Sequence, residues 1–93
     1  MKVSDVPVPA HRLMLGDVGR TVISETYRDK NKTTKPTTWR KRDGTVGRKR
    51  LYTIDSIYVH SNGNILINSG IYLRRDTDVF FVLEMDDGDD ADY

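Results

Sequence analysis

Short segments of three to nine residues with apolar positions in succession or in alternation, separated by glycine-, asparagine- and aspartate-rich turns, dominate the chain. Most runs are rich in β-branched and aromatic residues, which favour strands. No stretch longer than one turn carries the 3.6-residue period of an amphipathic helix. The pattern predicts strands at 13–15, 20–28, 51–59, 65–67, 71–73 and 79–83.

The first residues form a different pattern. Pro7 and Pro9 alternate with Val6 and Val8, and proline favours extended backbone both at its own position and at the one before it. We therefore expect residues 1–12 to be an extended lead-in that pairs at a sheet edge.

Two local signals constrain the middle strands. Apolar residues lie on both faces of 51–59, which predicts a bend or bulge near Asp55 and Ser56. Asn62-Gly63 is a typical tight hairpin turn, so 65–67 should return along the strand before it.

These elements predict an all-β domain over 13–85, either a small SH3-like barrel or a strongly curved antiparallel sheet of five to six strands. Its expected core is Tyr27, Leu51, Ile54, Ile57, Val59, Ile65, Ile67, Ile71, Leu73, Phe80 and Val82. The OB-fold is disfavoured because the chain has no room for its usual helix.

Polar residues interrupt this rhythm between the second and third predicted strands. Residues 29–38 contain no large apolar side chain and are expected to form a long loop. Residues 39–50 resemble a hairpin, with Asp43-Gly44 at its turn. Its two limbs would place like charges opposite each other, and an anionic partner would relieve that repulsion.

The net charge of +1 hides a strong asymmetry. Residues 28–50, called the basic segment below, contain ten basic and two acidic residues, a local charge of +8. Residues 84–93 contain six acids and no base, and 86–93 are expected to be a disordered acidic tail. Each charged segment is therefore a better guide to partners than the overall charge.

Cations that neutralise phosphates, together with a flat ring that stacks on bases, are typical of nucleic-acid binding. The basic segment contains both. The alternative interpretation is a solvated loop that binds no ligand. For Trp39 the alternatives are a core or lid residue and a stacking residue. The candidate nucleic-acid ligands are Arg28, Lys30, Lys32, Lys35, Trp39, Arg40, Lys41, Arg42, Arg48, Lys49 and Arg50.

The acidic tail allows three interpretations. It solvates the protein, it folds back on the basic segment and competes with nucleic acid, or it mimics a phosphate backbone in a partner's groove. The candidate tail contacts are Asp86, Asp87, Asp89, Asp90 and Asp92.

Other chemistry has little support in the sequence. The chain has no cysteine and two distant histidines, His11 and His60, so we predict no metal site, no cofactor and no enzymatic activity. The absence of an apolar run long enough for a membrane span, and of cysteine, favours a cytoplasmic protein without a membrane partner.

The strand rhythm of 15–22, 52–57 and 79–83, with its early Gly16-Asp17 turn, resembles that of SH3-like small barrels across residues 13–83. The proline-binding SH3 family carries an acidic first loop and paired tryptophans. This chain has a basic loop and one tryptophan, so the resemblance implies the fold and not proline-peptide binding.

Two functions follow as hypotheses. The first is a module that binds RNA or single-stranded DNA through the basic segment, with the tail as a competing anion. The alternative is a protein-interaction module that inhibits or redirects a host enzyme. For the alternative, the chain is similar in style to small bacteriophage proteins that act in the host cytoplasm.

Overall fold

A computed structural model describes residues 2–37 and 49–84, and these form short strands in two antiparallel sheets. The all-β prediction is confirmed. Among the described residues, the strands are β1 (Lys2–Val3), β2 (Val8–Pro9), β3 (Thr21–Ser24), β4 (Arg28–Asp29), β5 (Lys35–Thr37), β6 (Lys49–Thr53), β7 (Ile57–Val59), β8 (Ile65–Ile67), β9 (Ile71–Leu73) and β10 (Asp78–Glu84).

The first sheet has the strand order β1-β10-β3-β6-β5, and β2 also pairs with β10. The lead-in thus runs antiparallel to β10, with Lys2 opposite Glu84 and Val8 opposite Val79. Between β1 and β2, the Ser4 amide donates to the Phe81 carbonyl at 2.8 Å, and the Ser4 hydroxyl accepts from the Phe81 amide at 3.0 Å. The expected pairing of the lead-in is confirmed, but its last residues, Ala10–Arg12, form a 3₁₀ turn and not the extended backbone that was predicted.

The second sheet has the order β4-β9-β8-β7. Its strands β7, β8 and β9 follow one another along the chain and pair as neighbours. The predicted Asn62-Gly63 hairpin is confirmed, because Gly63 has a φ of 89° and the His60 amide donates to the Asn64 carbonyl at 2.9 Å. A positive φ of this kind is readily adopted by glycine.

The predicted strand 51–59 is divided between the sheets, and the predicted bend lies where it was expected. The Asn68 side chain holds the bend, since its Oδ1 accepts from the amides of Asp55 and Ser56 at 2.6 and 3.1 Å. Its Nδ2 donates to the Thr53 carbonyl at 2.7 Å. The predicted strand 20–28 is divided in the same way, with β3 in the first sheet and β4 in the second.

The described strands do not close into a barrel. Each sheet keeps two distinct edges, with β5 at one edge of the first sheet and β4 and β7 at the edges of the second. The barrel predicted from the sequence is therefore not closed in these residues, which form two packed antiparallel sheets, and the resemblance to SH3-like modules stays a prediction.

Inner faces of both sheets pack together to make the core. Val22, Tyr52, Val79 and Phe81 come from the first sheet, and Ile65, Ile67, Ile71 and Leu73 come from the second. Leu51 and Ile54 are buried as predicted, and Ile57 is half-buried against the core.

Four core predictions are wrong. Tyr27 and Val59 are 67% and 59% exposed. In β10 the buried positions are Val79 and Phe81, while Phe80 and Val82 are half-buried. Strand β10 is apolar at consecutive positions, so its sequence does not reveal which side chains face inward.

Two further local predictions are corrected. Residues 13–15 are not a strand, because 3₁₀ turns occupy Ala10–Arg12 and Leu15–Asp17. The Asp17 carboxylate accepts from the Met14 amide at 2.9 Å and fixes the second turn. Residues 29–38 are not wholly a loop either, since β5 pairs with β6.

Candidate nucleic-acid interface

The described part of the basic segment contains six of the predicted ligands. Arg28, Lys30, Lys32 and Lys35 are exposed, whereas Lys49 and Arg50 are half-buried. The predicted hairpin at 39–50 falls outside the described residues except for positions 49 and 50. Also outside them are Trp39, Arg40, Lys41, Arg42 and Arg48, and the tail residues Asp86, Asp87, Asp89, Asp90 and Asp92.

A single carboxylate organises the turn after β4. Asp29 accepts hydrogen bonds from the amides of Thr33 and Thr34 at 3.3 and 2.9 Å and from the Thr34 hydroxyl at 2.6 Å. Lys32 lies in the left-handed region with a φ of 52°, and its amide donates to the Asp29 carbonyl at 3.3 Å. These bonds fix the backbone that carries Lys30 and Lys32.

The environment of Asp29 favours its charged form. Partial burial acts to raise the pKa of this carboxyl, but the hydrogen bonds from Thr34 and Thr33 and the charge of Arg50 outweigh it. The result is a pKa below the ordinary value. A carboxylate that accepts several hydrogen bonds is stabilised as the anion, so Asp29 remains charged and keeps the turn in place at neutral pH.

Arg50 takes part in this network. Its Nε donates to the Thr34 hydroxyl oxygen at 2.9 Å, and that hydroxyl donates in turn to Asp29. The chain of bonds links β6 to the turn after β4. Arg50 therefore acts first as a structural residue that positions the turn, although the sequence suggested only a phosphate ligand.

Lys49 also has a partner within the chain. Its Nζ lies 3.2 Å from the Glu25 carboxylate, and the lysine side chain is largely covered. Lys49 and Arg50 thus differ from Arg28, Lys30 and Lys32, whose side chains are exposed to solvent.

The strand register indicates that Arg28 and Lys30 lie on one face of the second sheet. Arg28 lies opposite Tyr72, and the amide of Lys30, the residue after the end of β4, continues the pairing by donating to the Gly70 carbonyl at 2.8 Å. Residues two apart point to the same side of a sheet. Asp29, between them, points to the other side and makes the network above.

A row of side chains crosses the same face. The register pairs Arg28 with Tyr72, Tyr72 with Leu66, and Leu66 with Tyr58. Their strand neighbours Ile65, Ile67, Ile71 and Leu73 are buried in the core, so the row points away from it. We call this row, with Lys30 and His60, the outer face of the second sheet.

Aromatic rings meet on this face. The His60 ring lies edge-on to Tyr58, with centroids 5.1 Å apart, and nearly parallel to Tyr72, with centroids 6.3 Å apart. Tyr58 is 61% exposed. Tyr27 is also exposed, but the Arg74 guanidinium covers its ring at 4.5 Å.

The sequence-based interpretation did not identify Tyr58 or Tyr72 as functional residues. The signal that could have found them is a set of three triplets with apolar ends, Ile57-Tyr58-Val59, Ile65-Leu66-Ile67 and Ile71-Tyr72-Leu73. If the outer positions of each triplet face the core, the central ones form a row on the opposite face.

Metal ligands do not gather within residues 2–37 and 49–84, where no group of three His, Asp or Glu side chains is placed to hold an ion. In the same part of the chain, no helix has the length and apolar character needed to cross a membrane.

Comparison of the chain with protein-family models, with curated proteins and with solved structures gave no match.

Proposed function

We propose that this protein binds nucleic acid through the basic segment, with RNA or single-stranded DNA as the preferred ligand. The observation that carries the proposal is the placement of Arg28 and Lys30. Both are exposed on β4 and its extension, on one face of the sheet, and a hydrogen-bonded turn supports them.

The charge distribution supports phosphate as the bound group. Lys32 and Lys35 extend the exposed cations beyond Lys30, and the segment as a whole carries a charge of +8. Neutralising phosphates with such cations releases counterions, which drives binding and makes it sensitive to salt. For six neutralised phosphates on a single strand, log K should fall with log salt at a slope of about −4.

The roles of Trp39 and the acidic tail belong to the same proposal. Trp39 stacks on a base, and residues 86–93 compete with the ligand as an intramolecular anion. The cytoplasmic location expected from the cysteine-free composition likewise stays a prediction.

Fluorescence anisotropy tests the proposal. Labelled RNA, single-stranded DNA and duplex DNA are titrated with the full chain and with residues 1–85 at two salt concentrations. We expect salt-sensitive binding that becomes tighter without the tail.

A charge-matched pair of variants locates the site. Arg28→Ser with Lys30→Ser should weaken binding and flatten the salt slope by about 1.4, since each lost phosphate contact on a single strand contributes about 0.7. Lys2→Ser with Arg12→Ser removes the same charge from other exposed positions and should change binding less. Equal effects of both pairs would contradict a localised site.

Absence of binding by every form would overturn the proposal. The alternative function, a protein-interaction module that acts on a host enzyme, would then take its place. The exposed apolar side chains of Met14 and Leu15, at the 3₁₀ turn before β3, are the feature that favours it.

A further inference from the structure

We infer that the outer face of the second sheet is a base-stacking surface for single-stranded nucleic acid, with Tyr58 and Tyr72 as its stacking side chains. The inference rests on the proposed function and adds residues outside the basic segment. It also specifies the ligand as a strand whose bases are unpaired.

Tyr58 lies on the edge strand β7 and is 61% exposed, although Ile65 and Ile67 on the neighbouring strand belong to the hydrophobic core. Leu66 and Tyr72 are half-buried in the same row. A contiguous apolar and aromatic row on a sheet face is a feature of interaction surfaces.

Tyr58 and Tyr72 occupy strands two positions apart in the sheet, a separation of about 10 Å. The centroid of the His60 ring lies 5.1 Å from that of Tyr58 and 6.3 Å from that of Tyr72. Rings supported in this way lose little conformational entropy when a base packs on them.

The positive charge beside the rings indicates which class of ligand this face binds. Arg28 ends the row at β4, and Lys30 follows it along the same edge of the sheet. Cations beside exposed rings match a ligand that carries phosphates and flat bases together. An apolar protein segment would match the rings but would leave these cations without partners.

The shape of the surface indicates that the nucleic acid it binds is single-stranded. Rings on a sheet face stack on the flat faces of bases, and those faces are accessible in single strands but already stacked within a duplex. Cations alone would bind both forms through their phosphates. The rings should therefore contribute only to the binding of single strands.

The test compares three ligands of equal length: oligothymidylate, an abasic oligonucleotide with the same phosphates, and a duplex. Tyr58→Thr removes the exposed ring while retaining a strand-forming residue. Val59→Thr is the matched control, because Val59 lies next to it on the same strand, is 59% exposed and points to the other face.

Tyr58→Thr should weaken binding of oligothymidylate about tenfold, the usual effect of losing one base–aromatic contact. Binding of the abasic ligand and the duplex should stay unchanged, and Val59→Thr should leave all three affinities unaltered. Tyr72→Leu should reproduce the selective loss, provided that its thermal unfolding shows a folded protein.

Each outcome separates this inference from the proposed function. Unchanged oligothymidylate binding by both tyrosine variants, together with weaker binding by the Arg28 and Lys30 variant, would overturn the stacking surface and retain phosphate binding. Equal losses on the oligothymidylate and abasic ligands would also overturn it. Absence of wild-type binding to all three ligands would overturn both.

Discussion

The hydroxyl oxygens of Ser24 and Tyr52 lie 2.7 Å apart inside the first sheet, where Ser24 is fully buried and Tyr52 nearly so. Each hydroxyl is the hydrogen-bond partner of the other, which both need because they are shielded from water. Burial of polar groups without a partner costs free energy, so the pair satisfies two groups at once.

Removing one partner should therefore cost more than removing both. Tyr52→Phe leaves the Ser24 hydroxyl without its partner and should lower the free energy of unfolding by about 1–3 kcal/mol. Adding Ser24→Ala should recover part of the loss. Urea unfolding of the two single variants and the double variant measures the coupling, and strict additivity would contradict it.

The same tyrosine predicts an alkaline transition. Burial raises the pKa of Tyr52 to about 12, against the opposing effect of the Ser24 hydrogen bond. The unfolded chain loses this proton near pH 10, so the folded state binds more protons between pH 10 and 12 and stability falls across that range. Tyr52→Phe should have a shallower decline, and an identical decline would assign it to other groups.

Asn68 should be among the most sensitive polar positions. It has a φ of 55° and its side chain makes three hydrogen bonds at the bend between β6 and β7. Asn68→Ala loses these bonds and replaces asparagine by a residue that adopts the left-handed region less readily, which should cost about 3 kcal/mol. Asn68→Gly keeps the loss of hydrogen bonds but relieves the backbone, and should be about 1 kcal/mol more stable than the alanine variant.

Denaturant unfolding of the two Asn68 variants tests this assignment. Similar stability of the glycine and alanine variants would show that backbone strain plays no part at this position. Wild-type stability in both would contradict the role of the side chain in holding the bend.

Asp29 predicts a pH effect of the opposite sign. Its pKa is lower in the folded protein than in the unfolded chain, so its contribution is complete above the unfolded value of about 3.9 and is lost as the pH falls through the folded value. Asp29→Asn should be less stable at pH 7 by about 1 kcal/mol, because it loses charge-assisted hydrogen bonds.

Urea unfolding at pH 7 and at pH 3 checks this prediction. The stability gap between wild type and Asp29→Asn should narrow at the lower pH. Asp76→Asn is a suitable control, since Asp76 is exposed in the turn between β9 and β10. A gap that stays constant would contradict the charge effect at Asp29.

The sequence predicted the second sheet better than the first. Local signals set its hairpins, with Asn62-Gly63 at one turn and short apolar triplets on either side. The prediction of a strand at 13–15 is wrong because the Asp17 carboxylate accepts a hydrogen bond from the Met14 amide. This bond forms a turn where the sequence is apolar. That contact depends on side-chain geometry, which hydrophobic periodicity does not record.

The sequence predicted the cations of the candidate site but not its tyrosine rings. In a single unbroken strand 51–59, Tyr58 would lie on the same face as Ile54, which is buried. The bend at Asp55 and Ser56 breaks that alternation, and Tyr58 emerges on the outer face of the second sheet. Because the hydrogen bonds of Asn68 fix the bend from a distant part of the chain, inspection of 51–59 alone could not establish the direction of Tyr58.

The position of β10 in the first sheet affects the order in which the strands can pair during synthesis on the ribosome. It lies between the lead-in and β3 in the first sheet, yet it is the last of the described strands to be synthesised. The hairpins of β7, β8 and β9 pair locally and can form as they emerge. The lead-in must wait for its pairing partner until β10 has been synthesised, so the first sheet is completed only after the other described strands have emerged.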